Sequence, residues 1–452
     1  MMFDTTQFEI KDFLNETFSC ECLRDHSIPI KHIIIEAGAF TKLPELIRSS
    51  GCRKPFLLFD TTTYTLAGSN LLTLLESAQQ PYQKYIIPDP EPVPDEKAVG
   101  EILIHYDRSC DLLIAVGSGT LNDLCRFISF QLQLPYLIVA TAPSMDGFAS
   151  NVTPLIVNHV KTTYEAQVPY AILGDLNLLK DAPMNMVSAG IGDILGKYTC
   201  LCDWEISHII NGEYHCRTIE GMVNKSLQTV VENVNNVKDR SPLAIKNIME
   251  ALVLSGIAMS FAGNSRPASG SEHHLSHYWE MMYLFDGKPP VLHGTKVGIA
   301  TIAVTKAYEL LFNQEIDFAK AKLQARDYSV SQWEARIRDT YYQAADSVIA
   351  LEKSMQKNDT KQVIHRIVLL EQHWDQLKQI VGHLPSANIL RGYLSELKAS
   401  SSPMDVGIDK TTFINSFLVA KELRNRYGLL QILFDLSLGE EIAEQVWDYF
   451  QS

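Results

Sequence analysis

The first 170 or so residues alternate short apolar runs with stretches of helical periodicity. Five apolar runs stand out, over 33–35, 55–60, 85–87, 111–116 and 135–140. Continuous apolar runs, rather than alternating ones, are typical of strands that are buried on both faces of a parallel sheet. Because helical stretches separate the runs, we expect a doubly wound, mostly parallel α/β domain over residues 1–174.

After about residue 175 the strand-like runs disappear and helical periodicity takes over. The pattern predicts long helical segments over 245–261, 295–312, 316–355 and 365–381. Apolar stripes with polar opposite faces are typical of helices that pack on one another in a bundle. We therefore expect residues 175–452 to form an all-α domain, and a cleft between the two halves is the expected place for a ligand.

Composition narrows the class of protein. The chain has 452 residues, of which 46% are hydrophobic and 20% charged, as in a folded globular protein of two or three domains. Its 39 Lys and Arg face 53 Asp and Glu, which gives a net charge of −14. This balance disfavours nucleic-acid binding but leaves room for a basic pocket that takes a small anionic substrate.

Cysteine usage and end signals bear on the compartment. The eight cysteines are scattered, and the closest pairs are Cys20/Cys22 and Cys200/Cys202. C-x-C spacing matches neither a dense disulfide framework nor a C-x-x-C zinc pair, so reduced cysteines with structural roles are expected. Since we find neither 18 consecutive apolar residues nor a basic region followed by an apolar run at the N-terminus, we expect a cytoplasmic protein without a membrane span.

A glycine turn follows the fourth apolar run. The string Gly117-Ser118-Gly119-Thr120-Leu121-Asn122-Asp123 ends a predicted strand and begins a predicted helix. Glycines let the backbone approach a phosphate, and a helix N-terminus offers free N–H groups and a favourable dipole. The string lacks the third glycine of G-x-G-x-x-G. The alternative is therefore an ordinary tight turn with Asn122 or Asp123 near the helix cap.

Two further positions lie at predicted strand ends. Asp60 follows the second run, where a carboxylate can accept the hydroxyls of an adenosine ribose, or can cap a helix over Thr61-Thr62-Thr63. The loop over 141–150 follows the fifth run and is rich in hydroxyls, with one acid, Asp146. Ligands of α/β sheets bind at this edge, although an ordinary surface loop would read the same.

The helical half contains a concentration of metal-ligating residues. Asp193 stands in an apolar segment bounded by glycines, and four of the 13 histidines fall within 273–293. His273 and His277 are four residues apart and share one face of a helix, and His293 follows. One carboxylate and two imidazoles with an open position form the ligand set of a catalytic divalent metal, while each histidine alone could be a hydrogen-bonded structural residue.

Together these segments resemble the glycerol-1-phosphate dehydrogenases, within the superfamily that holds iron-containing alcohol dehydrogenases, glycerol dehydrogenase and dehydroquinate synthase. The strings that carry the resemblance are GSGTLND (117–123), TAPSMDGFAS (141–150), GIGDILGKYT (190–199), SRPASGSEHHLSH (265–277) and LHG (292–294). A looser similarity extends from about residue 30 to about residue 310. The helical tail beyond matches by type alone.

The resemblance implies a dehydroquinate synthase-like fold and an enzyme of phospholipid synthesis. It would reduce dihydroxyacetone phosphate with NAD(P)H to sn-glycerol 1-phosphate, reversibly, with one zinc or nickel ion per subunit. By position, Asp193, His273 and His293 would bind the metal. Asp193 would also lie against the substrate, Asp146 would hold a substrate hydroxyl, and His277 would contact substrate and relay a proton. The nucleotide would contact Asp60, Gly119, Thr120, Leu121, Asn122, Asp123, Thr141, Ala142, Pro143, Ser144 and Ser150.

Several points stay open at this level. A substrate phosphate needs a cationic partner, for which Arg266, Lys197 and Lys296 are candidates. Some iron-dependent relatives place a fourth ligand histidine at position 197, so the lysine favours a three-ligand site. The alternatives are a lyase of the dehydroquinate synthase type, which would have glutamate in place of Asp193, a dehydrogenase of unphosphorylated polyols such as glycerol, and a catalytically silent binding protein. The apolar-striped helices would allow a homodimer.

Overall fold

The protein is described by a computed structural model that covers residues 8–157 and 160–452. The described strands are β1 Thr17–Ser19, β2 Asp25–Ser27, β3 His32–Glu36, β4 Pro55–Asp60, β5 Gln83–Ile87, β6 Leu112–Gly117, β7 Tyr136–Ala140, β8 Val152–Val157, β9 Val160–Glu165 and β10 Ala171–Asp175. Six of them form one sheet of order β3-β10-β7-β6-β4-β5, in which every pair is parallel. The pairs β1–β2 and β8–β9 are antiparallel hairpins.

Helices make up most of the remaining chain. The described α-helices are α1 Leu43–Ser49, α2 Thr61–Thr63, α3 Ser69–Ser77, α4 Glu96–His105, α5 Gly119–Leu132, α6 Leu176–Leu179, α7 Met184–Asn211, α8 Arg217–Glu232, α9 Pro242–Ala262, α10 Ser271–Phe285, α11 His293–Phe312, α12 Phe318–Arg326, α13 Val330–Tyr341, α14 Ala345–Met355, α15 Thr360–Val381, α16 Ala387–Glu396, α17 Lys410–Val419, α18 Leu429–Asp435 and α19 Gly439–Gln451.

The six-stranded sheet is buried on both faces. Every residue of β4, β6, β7 and β10 is buried, whereas the edge strands β3 and β5 are partly exposed. One core cluster joins alternate residues of the central strands to the apolar faces of α1 and α3. Burial on both faces explains why the strands read as continuous apolar runs. The predicted fold class, a parallel α/β part followed by a helical part, is confirmed.

All five predicted strands are present, as β3 to β7. The sheet has a sixth strand, β10, that the pattern did not indicate, because its sequence Ala-Ile-Leu-Gly-Asp is short and carries a glycine. The expected long helical segment over 316–355 is wrong in one respect. It is three helices, α12, α13 and α14, because Ser329 caps a new helix and Tyr342 adopts a φ of +45°.

The chain divides into two compact units. One comprises the described residues of 1–194 and 216–265, and the other comprises residues 195–215 and 266–452. The predicted assignment of the nucleotide to residues 1–174 and of the metal to residues 175–452 concerns ligands and stays a prediction. Within the described residues, α9 alone is long and apolar enough to cross a membrane by length and composition, and 67% of its most apolar window is buried, as in the core helix of a globular domain.

Candidate metal and nucleotide site

Asp193 lies on α7, three residues after Gly190, where the helix packs closely against the loop that follows β7. A Cβ at Gly190 would lie 2.0 Å from the carbonyl oxygen of Pro143, a distance that no side chain tolerates. The Asp193 carboxylate is fully buried, and its Oδ2 accepts a hydrogen bond of 3.0 Å from the backbone N–H of Asp146. The loop that follows β7 therefore contacts α7 directly at the predicted metal ligand.

Asp146 is held by a second interaction. The hydroxyl of Ser255 on α9 donates a 2.9 Å hydrogen bond to Oδ2 of Asp146, and both residues are buried. The Asp146 main chain thus orients Asp193 while its side chain is fixed by α9. Ser255 was not identified from the sequence, since a lone serine within an apolar helix gives no distinct signal.

The predicted histidines lie close together at the beginning of two helices. His273 and His277 are on α10, and His293 is the first residue of α11. The ring centroids of His273 and His293 are 5.3 Å apart, and that of His277 lies 6.0 Å from the first and 5.8 Å from the second. The four-residue spacing of His273 and His277 therefore places both imidazoles beside His293.

Asp193, His273 and His293 can share one cation. Each offers a ligand atom, and the three atoms lie within 4.8 Å of one another. The carboxylate and the first imidazole are buried, and His293 is half-buried. One carboxylate oxygen and two imidazole nitrogens at such separations suit a divalent transition metal that keeps an open coordination position. The donor set fits the predicted metal.

A buried glutamate orients one of these imidazoles. Nδ1 of His273 lies 2.7 Å from Oε1 of Glu272, so the ring's Nε2 is the nitrogen left for a metal. Glu272 is fully buried and also accepts hydrogen bonds from the backbone N–H of Gly270 at 2.7 Å and from the hydroxyl of Thr199 at 2.6 Å. Burial raises the pKa of the Glu272 carboxyl, but the bonds from His273, Thr199 and Gly270 outweigh it and hold this pKa below its usual value.

Glu272, which orients a predicted metal ligand, was not identified from the sequence. It stood in the quoted string beside His273, and a carboxylate next to a ligand histidine was the available signal. Asp203 on α7 has a related role, since its Oδ2 accepts the backbone N–H of Ser271 at 2.7 Å and so fixes the start of α10. Two buried acids therefore hold the helix that carries His273.

The three cations considered for a substrate phosphate are all buried. The Arg266 guanidinium is paired with Glu213, with Nε 2.8 Å from Oε1. Lys296 lies 3.7 Å from Glu280, and the Lys197 ammonium donates a 3.0 Å hydrogen bond to the carbonyl of Ala268. Lys197 is one helical turn beyond Asp193 on α7, so these two residues share a face of that helix.

The glycine turn has the predicted context. β6 ends at Gly117 and α5 begins at Gly119, with Ser118 at the N-cap. A Cβ at Gly117 would lie 2.5 Å from Leu121, so the turn requires glycine. Ser118 hydrogen-bonds to Ser144, and the N–H of Thr141 donates to the carbonyl of Gly117 at 3.0 Å. The turn and the 141–144 segment therefore form one continuous edge that includes Ala142 and Pro143.

This edge lies beside the switch point of the sheet. β4 and β6 are neighbours, and from them the chain builds outward on opposite sides, to β5 and to β7. Ligands of open parallel sheets bind outside the carboxyl ends of the strands at such a point. Asp60 ends β4, and Gly119 and Thr120 follow the end of β6, so three predicted nucleotide contacts flank it.

Asp60 caps a helix, as the alternative interpretation held. Its side chain accepts the N–H of Thr63 at 2.6 Å, and burial raises the pKa of its carboxyl. A contact to ribose is compatible with this role and stays a prediction.

Other predicted nucleotide contacts hold the segment that follows β7 in place. Because Ser118 is the N-cap of α5, Asn122 and Asp123 lie just inside the helix and do not cap it. Asn122 is buried and donates a 3.3 Å hydrogen bond to the carbonyl of Gly147. Asp123 pairs with Arg126 at 2.9 Å, and burial raises the pKa of its carboxyl to about 6. Ser150 is buried and its hydroxyl hydrogen-bonds to Val152. These side chains position the edge of the sheet, whatever else they contact.

Comparisons with known proteins identify the family of this chain. The family model of iron-containing alcohol dehydrogenases matches residues 34–183. A glycerol-1-phosphate dehydrogenase [NAD(P)+] from Geobacillus thermodenitrificans is 32% identical, with 93% of this chain and 96% of that one covered. The enzyme of the same name from Bacillus velezensis is 39% identical over 63% of this chain and 73% of its own.

Solved structures show the same fold at much lower identity. A probable glycerol dehydrogenase from Sinorhizobium meliloti has a TM-score of 0.61 and 12% identity, over 93% of this chain and 98% of that one. At such identity the likeness concerns the fold alone, whereas the Geobacillus relative covers nearly the whole of both chains. The chain therefore belongs to the glycerol-1-phosphate dehydrogenase family of enzymes, and its fold is that of the iron-containing alcohol dehydrogenases.

Proposed function

We propose that the protein reduces the C2 carbonyl of dihydroxyacetone phosphate to sn-glycerol 1-phosphate, reversibly, with NAD(P)H and one divalent metal ion. The observation that carries this proposal is the group of Asp193, His273 and His293, whose ligand atoms lie within 4.8 Å. It occurs in a chain that is 32% identical, over nearly its full length, to an enzyme named for this activity.

We assign the metal to Asp193, His273 and His293. When bound there, a divalent cation would act as a Lewis acid on the carbonyl oxygen, and the nicotinamide would supply the hydride. Both zinc and nickel accept this ligand set, so we propose one of these two ions. The protein's own part is to hold the ligands: Glu272 fixes the His273 ring, and the Asp146 N–H fixes the Asp193 carboxylate.

Asp146, Asp193 and His277 are the proposed substrate contacts. Asp146 is anchored by Ser255, and a carboxylate held in this way is a suitable acceptor for a substrate hydroxyl. His277 lies outside the three-ligand group but within 6.0 Å of both ligand rings, measured between centroids. An imidazole at this position can deliver a proton to the product oxygen, because its ordinary pKa lies near neutrality.

The nucleotide would bind along the edge formed by the glycine turn and the 141–144 segment. Gly119, Thr120 and Leu121 are the first residues of α5, where backbone N–H groups and the helix dipole favour a pyrophosphate. We propose the same role in nucleotide binding for the other predicted contacts, Asp60, Asn122, Asp123, Thr141, Ala142, Pro143, Ser144 and Ser150.

We propose Lys197 as the cation for the substrate phosphate. It lies one helical turn beyond Asp193 and shares a face of α7 with this proposed substrate contact. Lys197→Met would remove the charge and keep much of the length of the side chain. The expected result is a KM for dihydroxyacetone phosphate raised about tenfold or more with little change in that for NADH, since a charge-assisted bond contributes about 1.5–3 kcal/mol. An unchanged KM would exclude this assignment.

We also propose a cytoplasmic homodimer that supplies sn-glycerol 1-phosphate for phospholipid synthesis and binds no nucleic acid. The net charge of −14 supports the last point. Light scattering coupled to size-exclusion chromatography would test the dimer, and a monomeric mass would refute it.

The function is tested by rebuilding the enzyme from metal-free protein. Metal-stripped protein would receive zinc, nickel or magnesium, one at a time, with dihydroxyacetone phosphate and NADH or NADPH. We expect NAD(P)H oxidation, followed by absorbance, to return with zinc or nickel and a product that is solely the sn-1 enantiomer. Glycerol with NAD+ is the control substrate. Faster turnover of glycerol than of glycerol 1-phosphate would favour a polyol dehydrogenase instead.

A further inference from the structure

A second cluster of metal-ligating side chains differs from the group of Asp193 in its ligands, which are three thiols and one imidazole. Cys20 and Cys22 stand in the loop between β1 and β2, His26 lies on β2, and Cys216 is the N-cap of α8. Their ligand atoms all lie within 4.8 Å of one another. The C-x-C pair gave no zinc signal in the sequence, because Cys216 is 196 residues beyond Cys20.

Three of the six separations between the ligand atoms are close to those of a tetrahedral zinc site. Sγ of Cys20 is 3.6 Å from Sγ of Cys216, and Nε2 of His26 is 3.3 Å from Sγ of Cys22 and 3.8 Å from Sγ of Cys216. Ligands at zinc bond lengths of about 2.3 Å for sulfur and about 2.0 Å for nitrogen, at tetrahedral angles, lie about 3.5–3.8 Å apart. A cation therefore fits among these atoms with little movement of the side chains.

The imidazole is oriented as a metal ligand would be. Nδ1 of His26 lies 3.2 Å from the carbonyl oxygen of Phe261, at the end of α9, so Nε2 is the nitrogen that faces the thiols. A backbone carbonyl on the second ring nitrogen is the usual support for a ligand histidine. His26 is 1% exposed, and its ring packs against Phe18 and Phe261. Little water can compete for the nitrogen.

Two neighbouring groups can stabilise the thiolates once a metal has displaced their protons. Cys216 lies at the N-terminus of a 16-residue helix, whose dipole stabilises negative charge. The hydroxyl of Thr218 is 3.2 Å from Sγ of Cys20 and can donate to that sulfur once it is deprotonated.

The loop between β1 and β2 turns at Leu23, which is 95% exposed and has a φ of +64°, a conformation that a leucine adopts at a cost.

We propose that Cys20, Cys22, His26 and Cys216 bind a zinc ion with a structural role. Three soft thiolates and an imidazole select zinc over magnesium or calcium, and four protein ligands leave no position open for a substrate. The ion would fasten the β1–β2 hairpin to the start of α8 and, through the His26 ring, to the end of α9. The proposal of this zinc site does not depend on the proposed reaction.

Metal content measured on the whole protein, purified under reducing conditions, tests this directly. We expect two metal equivalents per chain in the wild type. Cys22→Ser and His26→Ala should each lose one equivalent and keep the other, while His273→Ala should lose the other one alone. Cys52→Ser is the matched control, since Cys52 is a half-buried free thiol of the same unit outside the cluster, and it should keep both.

Cobalt substitution of the wild type covers the case in which a cysteine variant fails to fold. Cobalt held by three thiolates gives an intense sulfur-to-cobalt charge-transfer band in the near ultraviolet, which one carboxylate and two imidazoles cannot give. We expect this band in the wild type and in His273→Ala, and its loss in Cys22→Ser. The absence of the band, a single metal equivalent that Cys22→Ser retains, or a Cys20–Cys216 disulfide found by mass spectrometry of the purified protein would overturn the proposal.

Discussion

Glu272→Gln offers a sharp test of how the proposed metal ligands are held. The glutamate is fully buried, and one of its oxygens receives hydrogen bonds from His273 and from the Gly270 N–H, while the other receives the Thr199 hydroxyl. Glutamine has the same shape but no charge. Its NH2 group would face the Thr199 hydroxyl, which can accept a hydrogen bond, and its amide oxygen would be a weaker acceptor than a carboxylate for the His273 N–H. Changes of this kind beside a ligand histidine weaken metal binding about 10–100-fold, or about 1.4–2.7 kcal/mol.

The assay is a competition with a chelator at fixed free metal, read as metal bound per chain, with turnover measured at saturating metal. Thr199→Val is the matched control, because it removes one hydrogen bond from Glu272 and leaves the bond to His273 in place. We expect the increase in the metal Kd, relative to the wild type, to be at least five times smaller for Thr199→Val than for Glu272→Gln. Equal Kd values for Glu272→Gln and the wild type would refute the reasoning.

Three further changes have definite expected outcomes. His277→Ala should keep its metal, measured by elemental analysis, and lose about 10²–10⁴-fold in kcat, and an unchanged kcat would remove its role in proton transfer. Gly190→Ala gains up to about 1 kcal/mol of helix propensity, but its Cβ would meet the Pro143 carbonyl, so calorimetry should show a lower Tm, and an equal or higher Tm would contradict the close approach. Burial raises the pKa of the Asp123 carboxyl in the folded state to about 6, whereas its ordinary pKa, which applies to the unfolded state, is near 3.8. Between these two pH values the carboxyl is therefore protonated in the folded state and ionised in the unfolded state. Wild type should therefore gain about 1 kcal/mol relative to Asp123→Asn as the pH falls from 7 to 5, and lose this gain as the pH rises through 6; urea unfolding at both values would show it, and a pH-independent difference would count against the shift.

The sequence was sufficient to predict most of the fully buried strands of the sheet. β4, β6 and β7 read clearly because both faces of each are covered, and the glycine turn marked the end of β6. β10 was missed although it is equally buried, since five residues with a glycine fall below what a pattern can resolve. The break at Tyr342 could not be foreseen, because tyrosine rarely adopts a positive φ and does so here within its tertiary context.

The sequence indicated site residues with distinctive chemistry but not the residues that support them. Local clustering of histidines and one acid in an apolar segment indicated the residues that the fold brings together. Glu272 acts through a hydrogen bond with His273, and Ser255 through one to Asp146. A sequence does not show which polar side chain is turned inward. The cysteine cluster escaped notice for another reason, since its ligands come from segments that only the fold places side by side.

The position of β3 in the sheet has a consequence for synthesis on the ribosome. β3 is the first strand of the sheet to be made, yet its partner in the sheet is β10, the last one. An apolar strand near the start of the chain must therefore wait, unpaired, until the rest of the sheet has emerged, and such delayed pairing slows folding and exposes the chain to aggregation. Truncations that end before Ala171 should accordingly leave this strand available to chaperones.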